Sequence, residues 1–363
     1  MIVFAGRYND SEILSGPEKV AKRIFHHCAK ENEAVFVQYF FDGRKYGTFK
    51  KLFGKEITVN EDNSKIITLG IIRIIYFFLF NKFEIIHLIT FERFAFIFYL
   101  LKFFTKAKYI FSVHGIVTFG NYELKNTPRL YRFKDKICEK VFFKYSDVII
   151  MPSPNYIDLT DKYFKYDKTK VQIIPNGCDI EFHNVKRAER NNYELNIAFQ
   201  TDKIGFDFSY RFLINGLTHI KSKINLFAIG ESDINELIKK DFPIIKKNKM
   251  LTYIYAKFLS DTDIFLSINK YDTFSISALE AMAAGVIVIL TKETGLASFI
   301  KYGLNGFTIE FGDDSGIINS VNSLLNSPDK FKMISNNARE IYNDLNWDKV
   351  YARYSEIYKG LIG

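Results

Sequence analysis

Short apolar runs alternate with helix-forming stretches along both halves of the chain. The first half contains MIVFAG, AVFVQYF, IIHLI, YIFSVHG and VIIMPS, with IIP near 173–175 closing it, and the second contains LNIAFQ, INLFAIG, DIFLSI, VIVIL and GFTIEF. Continuous apolar runs of this length are typical of strands that helices cover on both faces of a parallel sheet. The alternation predicts an α/β fold made of two doubly wound, Rossmann-like domains.

The 363 residues provide enough chain for two such domains. We place the first domain at residues 1–180 and the second at 181–345. The predicted crossover is CDIEFHNVKRAERNNYE at 178–194, because it is charged, lacks hydrophobic periodicity and follows the Pro175-Asn176-Gly177 turn signal.

The stretch YDTFSISALEAMAAGVIVIL at 271–290 places two acids at the start of a predicted helix. Thr273, Ser275 and Ser277 are candidate N-caps, and Gly285 lies where a C-terminal glycine belongs. Asp272 and Glu280 are therefore expected beside a buried strand, where open α/β sheets bind their ligands.

The positive charge lies in the first half of the chain. Residues 1–180 hold 28 Lys and Arg against 19 Asp and Glu, whereas residues 181–363 hold 22 of each, so the net charge of +9 belongs to the first half. A basic half rich in aromatics fits nucleic acid, an anionic membrane surface or a solvated face without a partner. The 37 Phe and 22 Tyr could equally reflect a biased genome.

Two aromatic segments bear on the membrane alternative. IIYFFLF at 74–80 and FAFIFYLLKFF at 94–104 are too short to span a bilayer. A footprint for anionic lipid is predicted where Lys50 and Lys51 in TFKKLFGK join Lys102, Lys106 and Lys108. The competing interpretation is that the aromatics pack inside the protein while the lysines extend to its surface.

Two further features suggest a cytoplasmic protein. Cys28, Cys138 and Cys178 are widely spaced, which suggests neither a disulfide framework nor a metal cluster. The opening MIVFAGRYND has no basic leader with a long apolar core, so no secretory signal is expected.

The stretch at 271–290 resembles the donor-site signature of retaining glycosyltransferases of the GT-B fold, family 4. Further matches follow in the family's order: SVHG at 112–115, VQIIPNGCD at 171–179, FLSDTDIFLSI at 258–268, TGLASFIKYGLNGF at 294–307 and NWDKVYARYSEIY at 346–358. The resemblance implies two Rossmann-like domains facing a cleft, with residues 346–363 forming a helix that returns to the first domain. It also implies that the first domain binds the acceptor and the second the nucleotide sugar.

The resemblance also implies roles for particular residues. Glu280 would accept hydrogen bonds from the ribose hydroxyls, and Asp272 would contact the hexose. His114 would lie nearest the sugar. The remaining substrate-binding candidates are Thr273, Phe274 and Ser275 at the helix entrance, Asn176 in the PNG turn, and Gly16 in a loop expected near the diphosphate and acceptor.

The match departs from the family at the diphosphate. Of the usual basic pair after the first strand of the second domain, Lys203 is the candidate that remains, since Arg211 comes later, on the predicted following helix. Many relatives also have Glu where this chain has Asp272. No metal or other cofactor is expected: the Asp261-Thr262-Asp263 triplet has metal-binding spacing, but Asp263 is predicted to contact backbone instead.

The leading hypothesis is a retaining hexosyltransferase that uses a UDP- or GDP-linked sugar. Its acceptor would be a glycan or a lipid-linked glycan at the inner face of the cytoplasmic membrane, in cell-surface polysaccharide synthesis. The alternative is a non-catalytic GT-B subunit that binds a glycan or a partner enzyme. A nucleic-acid-binding function rests on charge alone, so nucleic acid is not an expected partner.

Overall fold

The computed structural model describes residues 1–40, 46–60, 62, 64–124, 127–188, 194–201, 206–220, 222–230 and 244–362. The chain forms two compact units. The first comprises Met1–Pro175 and Trp347–Gly363, and the second comprises Asn176–Asn346. The chain thus leaves the first unit five residues before the boundary expected from the sequence.

An eight-stranded sheet forms the first unit, in the order β3-β4-β2-β1-β5-β6-β7-β8. Its strands are β1 (Ile2–Ala5), β2 (Ala34–Tyr39), β3 (Lys55–Val59), β4 (Lys65–Leu69), β5 (Ile85–Leu88), β6 (Lys108–Ser112), β7 (Val148–Met151) and β8 (Val171–Ile173). All neighbours are parallel except β3, which pairs antiparallel with β4 at the sheet edge. The strand order reverses between β1 and β5, as in a doubly wound sheet.

The helices of the first unit fall into two groups. Their bounds are α1 (Gly16–Glu31), α2 (Thr48–Phe53), α3 (Ile71–Phe80), α4 (Phe96–Leu100), α5 (Val117–Leu124), α6 (Arg129–Tyr145) and α7 (Asn155–Asp161), with 3₁₀ turns at Arg93–Ala95, Lys102–Phe104 and Lys168–Lys170. The chain moves one way across the sheet through α1 and the other way through α3, α4 and α6. Because such crossovers are right-handed, the two groups cover opposite faces.

A six-stranded parallel sheet forms the second unit, in the order β11-β10-β9-β12-β13-β14. Its strands are β9 (Glu194–Gln200), β10 (Lys223–Ile229), β11 (Ile244–Lys247), β12 (Ile264–Ser267), β13 (Ile287–Thr291) and β14 (Phe307–Ile309). Its helices are α8 (Ile180–His183), α9 (Phe206–Thr218), α10 (Thr252–Ser260), α11 (Ile276–Ala283), α12 (Asp314–Leu325), α13 (Pro328–Arg339) and α14 (Ile341–Leu345), with a 3₁₀ turn at Gly295–Phe299. β13 is buried along its whole length between β12 and β14, which is what the VIVIL run predicted.

The segment expected to connect the domains is instead partly core. Cys178, Phe182 and Val185 are buried in the hydrophobic cluster of the second unit that includes α11. Cys178 also donates its backbone N–H to the Leu345 carbonyl. The prediction of a crossover at 178–194 was therefore wrong at its beginning, and residues 189–193 lie outside the described residues.

The last helix, α15 (Trp347–Ile362), belongs to the first unit and contacts α1 and β5. His87 on β5 is fully buried and forms hydrogen bonds of 2.8 Å with both Tyr358 Oη and Ser112 Oγ. This polar link joins the C-terminal helix to the centre of the first sheet. Within the described ranges, no helix is long and apolar enough to cross a membrane.

Acid should destabilise the first unit through His87. Burial, with a smaller contribution from nearby His114, lowers the pKa of His87 to about 3, whereas histidine in an unfolded chain titrates near 6.5. Between these pH values the unfolded chain binds one more proton at this site. The free energy of unfolding should therefore fall with falling pH, by up to about 1.4 kcal/mol per pH unit.

The fluorescence of Trp347, the chain's single tryptophan, can follow denaturant unfolding of this unit from pH 7 to pH 4. His87→Gln should be less stable at pH 7 and show a shallower loss toward pH 4. His219→Gln, at an exposed position of the second unit, should keep the wild-type slope. A His87→Gln slope equal to that of wild type would contradict the assignment.

Candidate functional site

The carboxyl ends of β9 and β12 lie side by side in the second sheet, where its strand order reverses. Ligands of open α/β sheets bind at such a point. The loop after β12 holds Asp272, Thr273, Phe274 and Ser275 and leads directly into α11. The 271–290 stretch is therefore located where its pattern predicted.

The Asp272 carboxylate organises this loop. It is buried, and its Oδ1 accepts the backbone N–H groups of Phe274 at 3.3 Å and Ser275 at 3.2 Å. Its Oδ2 accepts Asn269 Nδ2 at 3.4 Å. The backbone N–H groups of Phe274 and Ser275, two of the substrate-binding candidates, thus point at Asp272 in this structure. The carboxylate supports the loop in addition to any contact with a ligand.

The entrance of α11 is conformationally strained. Ser275 is its N-cap and has a φ of 66°, a left-handed conformation that L-residues with side chains adopt at a cost of roughly 1–2 kcal/mol. Its hydroxyl lies 3.0 Å from Ser267 Oγ, at the end of β12. Such strain concentrates at functional sites because the surrounding structure must enforce it. The helix ends before Gly285, whose φ of 79° confirms the predicted C-terminal glycine.

A hydroxyl and amide cluster surrounds the loop, and sequence analysis did not identify it. The side-chain amide of Asn269 donates to Ser267 Oγ at 3.0 Å. The backbone carbonyl of Asn269 accepts a hydrogen bond from Thr291 Oγ1 at 2.7 Å. Thr291 Oγ1 in turn lies 3.2 Å from Thr294 Oγ1. Their position in the sequence could have identified these polar residues, because they come at the ends of the apolar runs of β12 and β13, which meet at the same edge of the sheet.

Glu280 is buried inside α11, whose residues from Ser277 to Ala283 are all buried. Burying a carboxylate among small apolar side chains is costly unless hydrogen bonds compensate. Tyr255 on α10 is close enough that Glu280, after burial itself, raises the pKa of its phenol. The buried Tyr255 hydroxyl has no hydrogen-bond partner among the described residues. A polar pair of this kind, inside an apolar cluster, is a candidate for ligand contact.

Of the other residues expected at the donor, Asn176 is buried at the start of the second unit, two residues before Cys178. After burial and Glu280, Cys178 is a further group that raises the pKa of Tyr255. The helix α8 follows this turn and contacts α11. The structure therefore places the PNG turn near the Glu280 helix. Lys203 lies outside the described residues, so its position stays a prediction.

In the first unit, His114 follows β6 at the carboxyl edge of the sheet. Burial lowers the pKa of its imidazole to about 4, although a hydrogen bond to the Ile89 backbone opposes the shift. His114 is therefore neutral at physiological pH. A neutral imidazole offers one donor and one acceptor, which suits hydroxyl groups.

Gly16 is the first residue of α1, and a side chain of the same helix, that of Glu18, already binds the residue before it. Glu18 Oε2 accepts Ser15 N at 2.9 Å and Ser15 Oγ at 2.7 Å. These bonds, together with one from Asn9 and the charge of Arg7, outweigh burial and lower the pKa of Glu18. In this arrangement, a carboxylate stands where a diphosphate was expected near Gly16.

Sequence analysis missed one acid, Glu92, which follows β5 at the carboxyl edge of the first sheet. Burial raises the pKa of Glu92 to about 7, while nearby Arg7 and Arg93 act in the opposite direction. Its position after the IIHLI run was the signal, because β5 adjoins the strand-order reversal.

The Asp261-Thr262-Asp263 triplet is structural at Asp263. This side chain is buried, and its Oδ2 accepts the Asn196 backbone N–H at 2.9 Å, which confirms the predicted contact with backbone. Across the described residues, no group of three or more His, Cys, Asp or Glu side chains is arranged to hold a metal ion.

Two doubly wound sheets with polar loops at their strand-order reversals define a protein of the GT-B class. The chain belongs to the group 1 glycosyltransferases: the family model "Glycosyl transferases group 1" matches residues 211–341, and "Glycosyltransferase Family 4" matches residues 15–182. Together these matches cover most of the chain and confirm the family, while the retaining mode stays a prediction.

Two curated relatives are similar over about half of their lengths. An uncharacterized glycosyltransferase of Methanocaldococcus jannaschii is 26% identical over 216 residues, which are 54% of this chain and 55% of the relative. Lipopolysaccharide 1,2-N-acetylglucosaminetransferase of Salmonella typhimurium is 28% identical over 215 residues, which are 51% of this chain and 55% of that protein. The chain thus spans about half the length of these relatives.

Among solved structures, Anabaena HepE in complex with UDP-glucose superposes with a TM-score of 0.73 and 14% sequence identity, covering 99% of each chain. At that identity the likeness concerns the fold. It confirms the prediction of two Rossmann-like domains.

Proposed function

We propose that this chain transfers a hexose-type sugar from a UDP- or GDP-linked donor to a glycan or lipid-linked acceptor, with retention of anomeric configuration. The observation that carries the proposal is the pair of buried acids, Asp272 and Glu280, on the loop and helix at the strand-order reversal of the second sheet. The family membership and the UDP-glucose complex of HepE, a protein of the same fold, support the donor class.

In the proposed donor site, Glu280 accepts hydrogen bonds from the ribose hydroxyls, since both oxygens of an ionised carboxylate are acceptors. Tyr255, whose buried hydroxyl lacks a partner among the described residues, lies beside it. Asp272 contacts the hexose through Oδ2 while Oδ1 holds the loop. Asn176, Thr273 and Ser275 line the same region, whereas the side chain of Phe274 is buried in the core of the second unit and supports the loop from below.

The diphosphate departs as leaving group, and its charge is met by Lys203. The departing phosphate oxygen takes the proton of the attacking acceptor hydroxyl, so no protein nucleophile is required. His114, neutral at physiological pH, donates a hydrogen bond to a sugar hydroxyl, and Gly16 allows the acceptor to approach the first unit closely. Aimed charge at a leaving group is often the largest catalytic contribution, which makes Lys203 important to the rate.

We further propose that the acceptor belongs to cell-surface polysaccharide synthesis. A lipid-linked acceptor would be used at the inner face of the cytoplasmic membrane, with the protein cytoplasmic and peripherally attached. The Salmonella relative, by its name an enzyme of lipopolysaccharide, supports this acceptor class.

A panel of UDP- and GDP-sugars tests the proposal directly. The correct donor should raise the melting temperature of the protein, because a ligand that binds only the folded state stabilises it. It should also release free UDP or GDP when an acceptor is present. If no sugar of the panel yields free nucleotide, while glycans alone stabilise the protein, the chain is instead a non-catalytic binding subunit. One observation favours this second candidate: Asp272 Oδ1 already accepts two backbone N–H groups, so the carboxylate has a structural role that requires no sugar.

Activity should persist without divalent metal. Asp263 is engaged with the Asn196 backbone, and the proposed phosphate partner is Lys203. Nucleotide release should therefore be unchanged after exhaustive EDTA treatment and dialysis. Loss of release with EDTA and its return with Mg²⁺ or Mn²⁺ would contradict the prediction.

A further inference from the structure

We propose that the outer face of the helices α2, α3, α4 and α6, here called the helical layer, docks on an anionic lipid bilayer by inserting aromatic and aliphatic side chains among the lipid headgroups. The inference deepens the proposed function, because it gives the membrane contact a surface and a mode of binding. It rests on exposed apolar stripes and on the distribution of charge around them.

The helical layer is continuous. α2 contacts α3, α3 contacts α4, and α4 contacts α6. Arg73 on α3 also donates to the Phe53 carbonyl at the end of α2 at 3.3 Å. By the handedness of the crossovers, α3, α4 and α6 lie on the face of the sheet opposite α1. Side chains that point away from the sheet therefore form one common surface.

α6 has two apolar faces, and the first unit covers one of them. Cys138, Phe142 and Phe143 are buried against the unit. Leu130, Phe133 and Ile137 follow at i, i+3 and i+7, which is the spacing of one helix face. Leu130 and Phe133 are 62% and 63% exposed, so this second stripe lies in solvent.

The neighbouring elements extend the stripe. On α3, Ile72, Tyr76 and Leu79 are exposed at i, i+4 and i+7, opposite buried Ile74 and Phe78. In the turn after α4, Phe103 and Phe104 are 85% and 75% exposed. Single exposed apolar residues are ordinary, but adjacent stripes of large ones mark an interaction surface.

The charge on this outer face is positive. The two acids of α6, Asp135 and Glu139, point into the protein: Arg93 and Asn121 bind Asp135, and Glu139 accepts the backbone N–H groups of Val117 and Thr118. The remaining charges of α6 are all basic, namely Arg129, Arg132, Lys134, Lys136, Lys140 and Lys144. From Arg93 to Tyr122 the sequence has no acid.

This combination favours a bilayer over a protein partner. Protein interfaces are depleted in lysine, whereas lysine and arginine beside Phe, Leu and Tyr are typical of helices that lie in the headgroup region of an anionic membrane. A second copy of the chain would also place two basic surfaces against each other.

The structure changes the role of the lysines predicted from sequence. Lys50 is bonded to Glu56 at 2.5 Å, and Lys102 to Asp147 at 2.9 Å and to the Tyr145 carbonyl at 2.6 Å. Lys50 and Lys102 are thus engaged within the protein. The apolar side chains of the helical layer should contribute more than this lysine set.

Flotation with vesicles of phosphatidylglycerol and phosphatidylcholine tests the proposal. Wild type should float with these vesicles, less so as salt rises, and not with phosphatidylcholine alone. The variant Phe103→Ser, Phe104→Ser, Leu130→Ser, Phe133→Ser should lose at least tenfold in partitioning. A variant with Ser at Lys50, Lys51, Lys102, Lys106 and Lys108 should lose less.

The matched control is Tyr253→Ser, Tyr302→Ser, which removes side chains that are 67% and 64% exposed in the second unit. It should float like wild type. Equal flotation of wild type and the four-residue variant would overturn the proposal. It would also be overturned if wild type formed a dimer but bound no vesicles, and the variant no longer formed that dimer. The melting-temperature shift with nucleotide sugar, measured on the same samples, reports the donor site separately. Its absence would count against the proposed function and not against the membrane surface.

A depth measurement distinguishes insertion from surface attraction. In Phe103→Trp, vesicles that contain brominated lipid should quench the new tryptophan, while buried Trp347 provides the unquenched reference in wild type. Vesicle binding without quenching at position 103 would show attraction alone and overturn the insertion mode.

Discussion

Glu280→Gln should weaken UDP or GDP binding roughly 10- to 100-fold. A hydrogen bond to a charged group contributes about 1.5–3 kcal/mol, and each 1.4 kcal/mol is a factor of ten in affinity. Glutamine keeps the volume of the buried side chain in α11 while removing its charge, so the core around it should remain packed. Titration calorimetry with the nucleoside diphosphate alone measures the change, and Glu280→Ala should lose at least as much affinity.

The ribose assignment has a specific readout beyond affinity. Wild type should bind a 2′,3′-dideoxy nucleotide more weakly than the ribonucleotide, and Glu280→Gln should discriminate between them much less. Glu310→Gln is the matched control, since that carboxylate is exposed and paired with Lys292. An unchanged dissociation constant in Glu280→Gln would remove Glu280 from the site.

Replacement of Asp272 should affect turnover more than nucleotide binding. Its proposed partner is the hexose, and removal of one group that stabilises a transition state typically costs roughly 10²–10³ in kcat. We expect a loss of that size in Asp272→Ala, with UDP or GDP affinity within about threefold of wild type. Nucleotide release under saturating donor, combined with calorimetry, measures both quantities.

The structure allows the two roles of Asp272 to be separated. In Asp272→Asn an oxygen can still accept the N–H groups of Phe274 and Ser275. This variant should keep the fold of the loop and lose the charge. Asp313→Asn is the control, because the Asp313 carboxylate also accepts a backbone N–H at the start of a helix, as the N-cap of α12, away from the strand-order reversal. Weak nucleotide binding with spared turnover in Asp272→Ala would mean that the roles of Asp272 and Glu280 are exchanged.

The sequence predicted the strands buried on both faces and missed three others: β3 and β11 at the sheet edges, and β4 next to β3. β3, β4 and β11 contain lysines or alternate polar with apolar residues, and β3 is exposed along its whole length. Edge strands are covered less completely, so their sequences lack the continuous apolar runs that reveal a buried strand. The segment at 178–185 was misassigned for the opposite reason. Most of its few apolar residues are buried, but they show no periodicity that would have predicted a buried element.

The sequence by itself determined the α/β class, the helix and strand at 276–291, and the spacing of Asp272 and Glu280, because local periodicity, capping residues and glycines encode these features. The tertiary structure decided which polar groups meet. Packing of distant strands joins Asn269 to Thr291, buries Glu280 near Tyr255, and turns the acids of α6 inward while its second apolar stripe faces solvent. Burial and pairing depend on neighbours far along the chain, so no local pattern contains them.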